Sequence, residues 1–157
     1  MKKVFSTIGI VVAIALLTCM ASSAAADGTG TTITLLNPPP GGRLVLRVGE
    51  TYTFDILIES DAPFILAMAM PDIFYPGRAV IWHGPDLAKR ANSATLHLTM
   101  TGKGSTADFA VVCGWPEPET EPECWPKGVV PASIVVGVRY KNNVVDSERF
   151  DFAVKVP

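Results

Sequence analysis

The residues best suited to chemistry lie in one short acidic stretch between two cysteines, Cys113 and Cys124. Four glutamates and a tryptophan occupy the stretch, and a second tryptophan follows it: Trp115, Glu117, Glu119, Glu121, Glu123 and Trp125. An even pair of cysteines is typical of a disulfide when the chain is exported, and this one would close a ring of twelve residues. Interspersed prolines exclude a regular ladder, and the repelling carboxylates favour an extended, solvated loop.

This acidic loop has two interpretations. The functional one is a recognition loop that meets a cationic partner, a divalent cation, or a sugar stacked on an indole ring. The fixed ligand spacing and glycine turn of a known calcium loop are missing, so calcium is not favoured. The structural one is a long strand connection that a disulfide protects against proteolysis. Loops carry function more often than cores do, which keeps the recognition hypothesis open.

A second candidate site uses thioether and imidazole ligands. Met68, Met70, His97 and Met100 offer the soft donors that suit copper in an oxidising compartment. Alternation along the predicted strand Ala94–Met100 places Leu96, Leu98 and Met100 inward and His97 outward, which opposes a joint site. Methionines also fill gaps in apolar cores. Metal binding is therefore an alternative, and no cofactor is expected.

Hydrolytic chemistry has little support in the sequence. A catalytic triad needs a nucleophile, a base and a group that orients the base. The only histidines are His83 and His97, and there is no Gly-x-Ser-x-Gly motif. Cys113 and Cys124 are both assigned to the disulfide. The sequence predicts a protein that is not an enzyme.

Residues 1–26 have the pattern of an export signal. Lys2 and Lys3 precede an apolar run of about 14 residues, Val4–Leu17, which is shorter than the roughly 20 residues that a membrane span needs. Ala24 and Ala26 fit the small-x-small cleavage rule, with Asp27 as the first mature residue. We expect a periplasmic, extracellular or cell-surface protein without a transmembrane helix in the mature chain. Lipidation of Cys19, which follows Leu16-Leu17-Thr18, is the alternative.

Net charge and composition exclude further classes of protein. Removal of the signal takes away two lysines and no acid, so eleven basic residues face fifteen acidic ones, a net charge of about −4. That balance excludes a dedicated nucleic-acid binder, and the chain is too apolar to be disordered. We expect a leader and first strand over 27–42 and one domain over 43–157.

Short segments of period-2 hydrophobicity predict an all-β protein of about seven to nine strands. The expected strands are Thr31–Leu36, Arg43–Val48, Thr51–Glu59, Phe64–Met70, Arg78–His83, Ala94–Met100, Thr106–Cys113, Ser133–Tyr140 and Val144–Val156. A loop is expected at Ser60–Pro63 and one helical turn over Gly84–Arg90. Lys141-Asn142-Asn143 should form the tight turn of a closing hairpin. The regular turn spacing indicates an antiparallel β-sandwich.

Two segments carry a family resemblance. Leu46-Arg-Val-Gly-Glu-Thr-Tyr-Thr-Phe54 resembles the second-strand entry of bacterial secreted immunoglobulin-like domains, and Val138–Val156 resembles their closing hairpin. The resemblance implies an immunoglobulin-like sandwich over about Arg43–Val156, with a role in adhesion, scaffolding or ligand binding and no catalytic residues to transfer. The inter-sheet cysteine pair of antibody domains is absent, because Cys113 and Cys124 are too close in sequence.

The resulting expectation is an exported, non-enzymatic binding or scaffolding module. Its partner would be a protein or a cell-surface glycan, met through the acidic loop. The alternatives are the copper protein and a self-assembling surface subunit that donates Thr31–Leu36 to a neighbour. Pairing of that segment within its own sheet is the simpler interpretation.

Overall fold

A computed structural model of the chain describes residues 30–72, 79–109, 112–113 and 124–157. The predicted signal over 1–26, with Cys19, lies outside these ranges. The interior of the acidic loop, 114–123, also lies outside them, and so do the side chains of residues 112–113 and 124–125.

Nine strands form in the described ranges, within the predicted number, and they confirm the all-β class. In chain order they are β1 (Thr32–Leu35), β2 (Arg43–Val45), β3 (Thr51–Pro71), β4 (Val80–His83), β5 (Asp86–Gly102), β6 (Val112–Cys113), β7 (Cys124–Trp125), β8 (Val130–Arg139) and β9 (Val145–Lys155). The only helical segment among the described residues is a single 3₁₀ turn at Pro40–Gly42.

The hydrogen-bonded ladders run in the order β2-β9-β8-β3-β5-β4, and β1 pairs with β3. All these pairings are antiparallel except that of β2 with β9. The first part of β3 pairs with β1 and with the end of β5, whereas its second part pairs with β8 and with the start of β5. The long β3–β5 ribbon therefore belongs to two layers. We call β1, β4, the first part of β3 and the second part of β5 the first layer, and the remaining main-sheet strands the second layer.

The ribbon folds over where its register shifts, between Glu59 and Phe64. Extra residues in one strand of an antiparallel pair bend the ladder, and Arg90 on the partner strand has a positive φ of 52°. The predicted loop at Ser60–Pro63 is therefore wrong, because β3 continues through this irregularity as a bent strand. The fold-over brings the Phe54 ring of the first layer to 4.9 Å from the Phe152 ring of the second, although their strands are not paired.

Alternating apolar side chains from both layers build one core. The most deeply buried large side chains include Phe54, Ile56, Ile58, Leu96, Leu98, Met100, Ile134, Val136 and Val138. The predicted inward set of Leu96, Leu98 and Met100 is confirmed, since each is at most 1% exposed. Trp82 packs against both phenylalanine rings, and its indole Nε1 is buried without a hydrogen-bond partner among the described residues.

The predicted helical turn over Gly84–Arg90 is wrong, because β5 begins at Asp86. The backbone of Asp86–Lys89 is hydrogen-bonded in a ladder to the second part of β3. The chain crosses from β4 to the second layer at Gly84 and Pro85. The Asp86 carboxylate then accepts a hydrogen bond from the His97 backbone N–H at 2.7 Å. These residues lie eleven positions apart in one strand, so the contact exists only because the ribbon is folded.

A buried polar cluster joins the N-terminal segment to the closing hairpin. The Thr31 hydroxyl donates to the Asp146 carboxylate at 2.7 Å and also contacts the Tyr140 hydroxyl, which lies 2.8 Å from the Ser60 hydroxyl. Thr31 and Asp146 are both nearly inaccessible to solvent. Buried polar groups without partners are costly, so this cluster favours a single arrangement of β1 against the turn. β1 itself pairs with β3 of its own chain.

The closing hairpin follows the prediction. β8 and β9 pair from Val130 opposite Val154 to Arg139 opposite Val145, and Asn143 takes a positive φ of 64° in the turn. Asparagine tolerates this left-handed conformation better than most residues. Phe152 and Val154 of β9 lie in the core, as does Val156 just after the strand, while Phe150 packs at the border of the core.

Candidate functional site

The base of the acidic loop is a small sheet of its own. β6 and β7 pair antiparallel, with Val112 opposite Trp125 and Cys113 opposite Cys124. Residues directly opposite in such a pair have Cα atoms about 4.5–5.5 Å apart, which lies within the range that a disulfide spans. The backbone register is therefore compatible with the predicted bridge, whose sulfur atoms lie outside the described part. The predicted strand over Thr106–Cys113 is too long, because its described residues before Val112–Cys113 include a turn at Ala107 and Asp108 and no strand.

Thr106 fastens this loop base to the sandwich. Its side chain is fully buried; the hydroxyl lies 2.6 Å from the Gly128 carbonyl oxygen and 3.1 Å from that of Val156. The Thr106 hydroxyl oxygen also accepts a hydrogen bond from the Val156 N–H at 3.0 Å. The Gly128 N–H donates to the Phe109 carbonyl at 3.2 Å. The segments that precede β6 and follow β7 are thus tied to each other and to the end of β9.

An open cleft of about 280 Å³ lies beside this junction. Its lining includes Ala107 and Pro157, and two exposed lysines, Lys127 and Lys155, flank it. The sandwich therefore presents positive charge beside the base of a loop that carries four carboxylates.

Charge is balanced over the described residues, where ten Lys and Arg face ten Asp and Glu. The acidic excess of the mature chain consequently belongs to Asp27 and the four loop glutamates, reduced by Arg78. All of these residues lie outside the described ranges. The described part of the chain carries no net charge, so the loop glutamates account for most of the acidic excess.

The outer face of the first layer carries a polar row centred on His97. Its Nδ1 lies 2.7 Å from Asp55 Oδ1, and the two residues are ladder partners on β5 and β3. The Asn37 side chain accepts from the Asp55 N–H at 2.8 Å, and the Tyr52 hydroxyl donates to the Asn37 carbonyl at 2.7 Å. Burial, and secondarily the charge of Asp55, raises the pKa of Tyr52.

An oriented Asp–His pair is two thirds of a hydrolytic triad. Among the described residues, no hydroxyl group hydrogen-bonds to Nε2 of His97. The second histidine, His83, lies on the same face and contacts the Thr101 hydroxyl through its Nε2 at 2.8 Å. This arrangement fastens neighbouring strands to one another, as does the contact between the Thr53 and Thr99 hydroxyls at 2.9 Å.

The structure does not gather the four candidate copper ligands. Met100 is fully buried in the core, whereas His97 is exposed on the opposite face of the same strand. Met68 and Met70 lie two residues apart on the second part of β3, in the other layer, and both are half-buried. Over the described ranges, no group of three His, Cys, Asp or Glu side chains is placed to hold a metal ion. Copper binding through Met68, Met70, His97 and Met100 stays a prediction, without support from this arrangement.

Two structural roles at these sites escaped the sequence reasoning. The pairing of Asp55 with His97 needed the β3–β5 register, which no local pattern specifies. The anchoring role of Thr106 depends on β9, fifty residues further along the chain, and a single threonine in a turn-rich segment gives no signal of it.

Outside comparisons add no assignment. A scan against models of known protein families finds no match to this chain, and a search of curated proteins likewise returns none. Within the part of the chain that the structure describes, no helix has the length and apolar character needed to cross a membrane.

Proposed function

We propose that this protein is an exported, non-enzymatic binding module that recognises its partner through the loop between Cys113 and Cys124. The observation that carries the proposal is the β6–β7 register, which sets the two cysteines opposite each other. A disulfide at this position would close the acidic loop at its base. The loop would then be held at its base by the sandwich, whose described core is formed by residues outside the loop.

Two further features support the same role. Thr106 holds both flanks of the loop base against β9, so a ligand bound by the loop would meet a stiff support. A pre-ordered loop loses less conformational entropy on binding than a free one. The neutral sandwich leaves the loop carboxylates as the main source of charge, and the two indoles supply flat apolar surface for stacking on a protein side chain or a sugar ring. The immunoglobulin-like resemblance agrees with such a role.

The disulfide is tested first, by alkylating the purified mature protein under denaturing conditions with and without reductant. We expect no alkylated cysteine before reduction and two after it, with a peptide linking Cys113 to Cys124. Two free thiols in protein isolated from an oxidising compartment would contradict the closed loop.

Recognition is tested with Trp115→Ala and Trp125→Ala on arrays of surface glycans and exported proteins. We expect both variants to keep the melting temperature within about 3 °C and to weaken binding at least tenfold. A quadruple Glu→Gln loop variant should remove the salt dependence of binding, whereas Glu50→Gln with Glu59→Gln, outside the loop, should not. Loss of fold in the tryptophan variants would show that these indoles are core residues instead.

A further inference from the structure

The outer face of the second layer carries an apolar patch of an unusual kind. The strand registers arrange it in three rows across β5, β3, β8 and β9. The first row reads Lys89, Leu66, Arg139 and Val145; the second reads Leu87, Met68, Gly137 and Ser147; the third reads Met70, Val135 and Arg149. We call this set the second-layer face.

Several large side chains on this face meet solvent. Val145 is 60% exposed and Leu87 is 48% exposed, and the leucine, methionine and valine side chains between them are only half-buried. The inward neighbours on β3, Ala67 and Ala69, are fully buried, so the alternation assigns Met68 and Met70 to the outside. An outward sheet face is normally polar, so apolar side chains on four neighbouring strands depart from the usual alternation.

Gly137 makes the centre of the face concave. It sits between Met68 and Ser147 in the middle row, and a Cβ added to it would meet no atom within 4 Å. Its φ lies outside the left-handed region, so the backbone does not require glycine at this position. The missing side chain therefore leaves a depression that can accept one protruding apolar side chain.

Positive charge collects at one end of the face only. Lys89 and Arg139 flank Leu66 in the first row, both are exposed, and no described residue forms an ion pair with either. At the opposite end, Arg149 is already paired with Asp72 and Asp151, each at 2.8 Å. A complementary partner would be apolar along most of its length and acidic at one end.

The size of the face favours a peptide segment over a second copy of the chain. Rows two residues apart are about 7 Å apart and neighbouring strands about 4.8 Å apart, so the patch measures roughly 14 by 14 Å. Its area of about 200 Å² is well below the roughly 800 Å² per partner of a stable interface. A bilayer would meet the concave centre poorly, because insertion requires apolar side chains that protrude.

We propose that the second-layer face binds a short extended peptide segment of another protein. One apolar side chain of the segment occupies the depression over Gly137, and its acidic end contacts Lys89 and Arg139. The residues of this face are different from those of the loop between the cysteines, so the protein would join two partners, as a scaffolding module does.

The test uses fluorescein-labelled peptides that alternate Leu with Ser and end in three Glu, with a three-Lys version as the control. Fluorescence anisotropy should show saturable binding of the acidic peptide, at least tenfold tighter than that of the lysine peptide. The Lys89→Glu/Arg139→Glu variant should lose at least tenfold in affinity. The matched control Lys103→Glu, on the first layer, should bind as the parent protein does.

Gly137→Val tests the depression without removing any native contact. The open space and the strand propensity of valine predict a stable fold, and peptide affinity should fall at least tenfold. A folded Gly137→Val protein that binds as tightly as the parent would overturn the proposal, as would failure of the acidic peptide to bind at millimolar concentration. Two further results would also reject it: a parent dimer that Leu87→Glu dissociates, which assigns the face to self-association, and binding confined to phosphatidylglycerol vesicles.

Discussion

Replacement of Thr106 by valine should destabilise the whole domain, although valine has nearly the same shape. The hydroxyl connects the Gly128 and Val156 carbonyl oxygens and accepts from the Val156 N–H. All three residues are buried. Valine keeps the packing but removes the hydroxyl from the Gly128 carbonyl and the Val156 N–H, whereas the Val156 carbonyl still accepts from the Thr106 backbone N–H at 2.7 Å.

The expected cost follows from the number of groups left unpaired. A buried donor or acceptor that loses its partner costs about 1–3 kcal/mol. The Val156 N–H and the Gly128 carbonyl each lose their closest side-chain contact, so Thr106→Val should lower the free energy of unfolding by about 2–4 kcal/mol. Thr106→Ser keeps the hydroxyl and removes one methyl group, which costs about 0.5–1.5 kcal/mol. Against a total stability of about 5–15 kcal/mol, the two variants are separable.

Urea unfolding followed by tryptophan fluorescence measures the difference. The midpoint should fall for both variants and fall further for Thr106→Val, with an unchanged dependence on urea concentration. If the valine variant loses no more stability than the serine variant, the hydroxyl is not what holds the loop base, and the account of its anchoring fails.

Two further changes test other parts of the fold. Asn143→Gly should change stability by less than about 1 kcal/mol, whereas Asn143→Val should cost about 1–2 kcal/mol, since the left-handed turn position penalises a Cβ branch; equal melting temperatures would refute this. For Arg149, burial acts to lower the pKa, but hydrogen bonds and charges from Asp151 and Asp72 outweigh that effect. The net pKa of Arg149 is therefore raised, and its guanidinium stays charged at all ordinary pH values. Because a raised pKa stabilises at every pH below the unfolded value, Arg149→Met should lose the same small amount, about 1 kcal/mol or less after solvent screening, at pH 6 and pH 9; a loss that differs between these pH values in thermal melts would contradict the assignment.

Much of the fold could be predicted from the hydrophobic alternation and turn residues of short segments. The alternation of Leu96, Leu98 and Met100 predicted both a strand and its buried face. The closing hairpin followed from two apolar runs around consecutive asparagines. These predictions succeed because side-chain alternation and turn chemistry are properties of neighbouring residues.

The errors share one cause. Gly84–Arg90 was expected to turn as a helix and Ser60–Pro63 to form a loop, since proline and aspartate usually interrupt strands. In the first segment, ladder bonds to β3 from Asp86 onward override the local preference. The second segment stays extended across the register shift, where the β3–β5 ribbon changes layer. The short β6–β7 pair shows the reverse, since the expected strand over Thr106–Cys113 has a turn at Ala107 and Asp108 and no strand in its described part before Val112.

The sequence alone determined that this chain builds a β-sandwich, where most of its strands lie, and that four of its glutamates lie between two cysteines. Those features depend on composition and on residues close together in the chain. Only the tertiary structure decided that Cys113 lies opposite Cys124, that Thr106 holds the loop base to β9, and that Leu87, Met68 and Gly137 share one outward row. Each of these depends on strand register, which is set by packing between residues far apart in sequence and is written in no single segment.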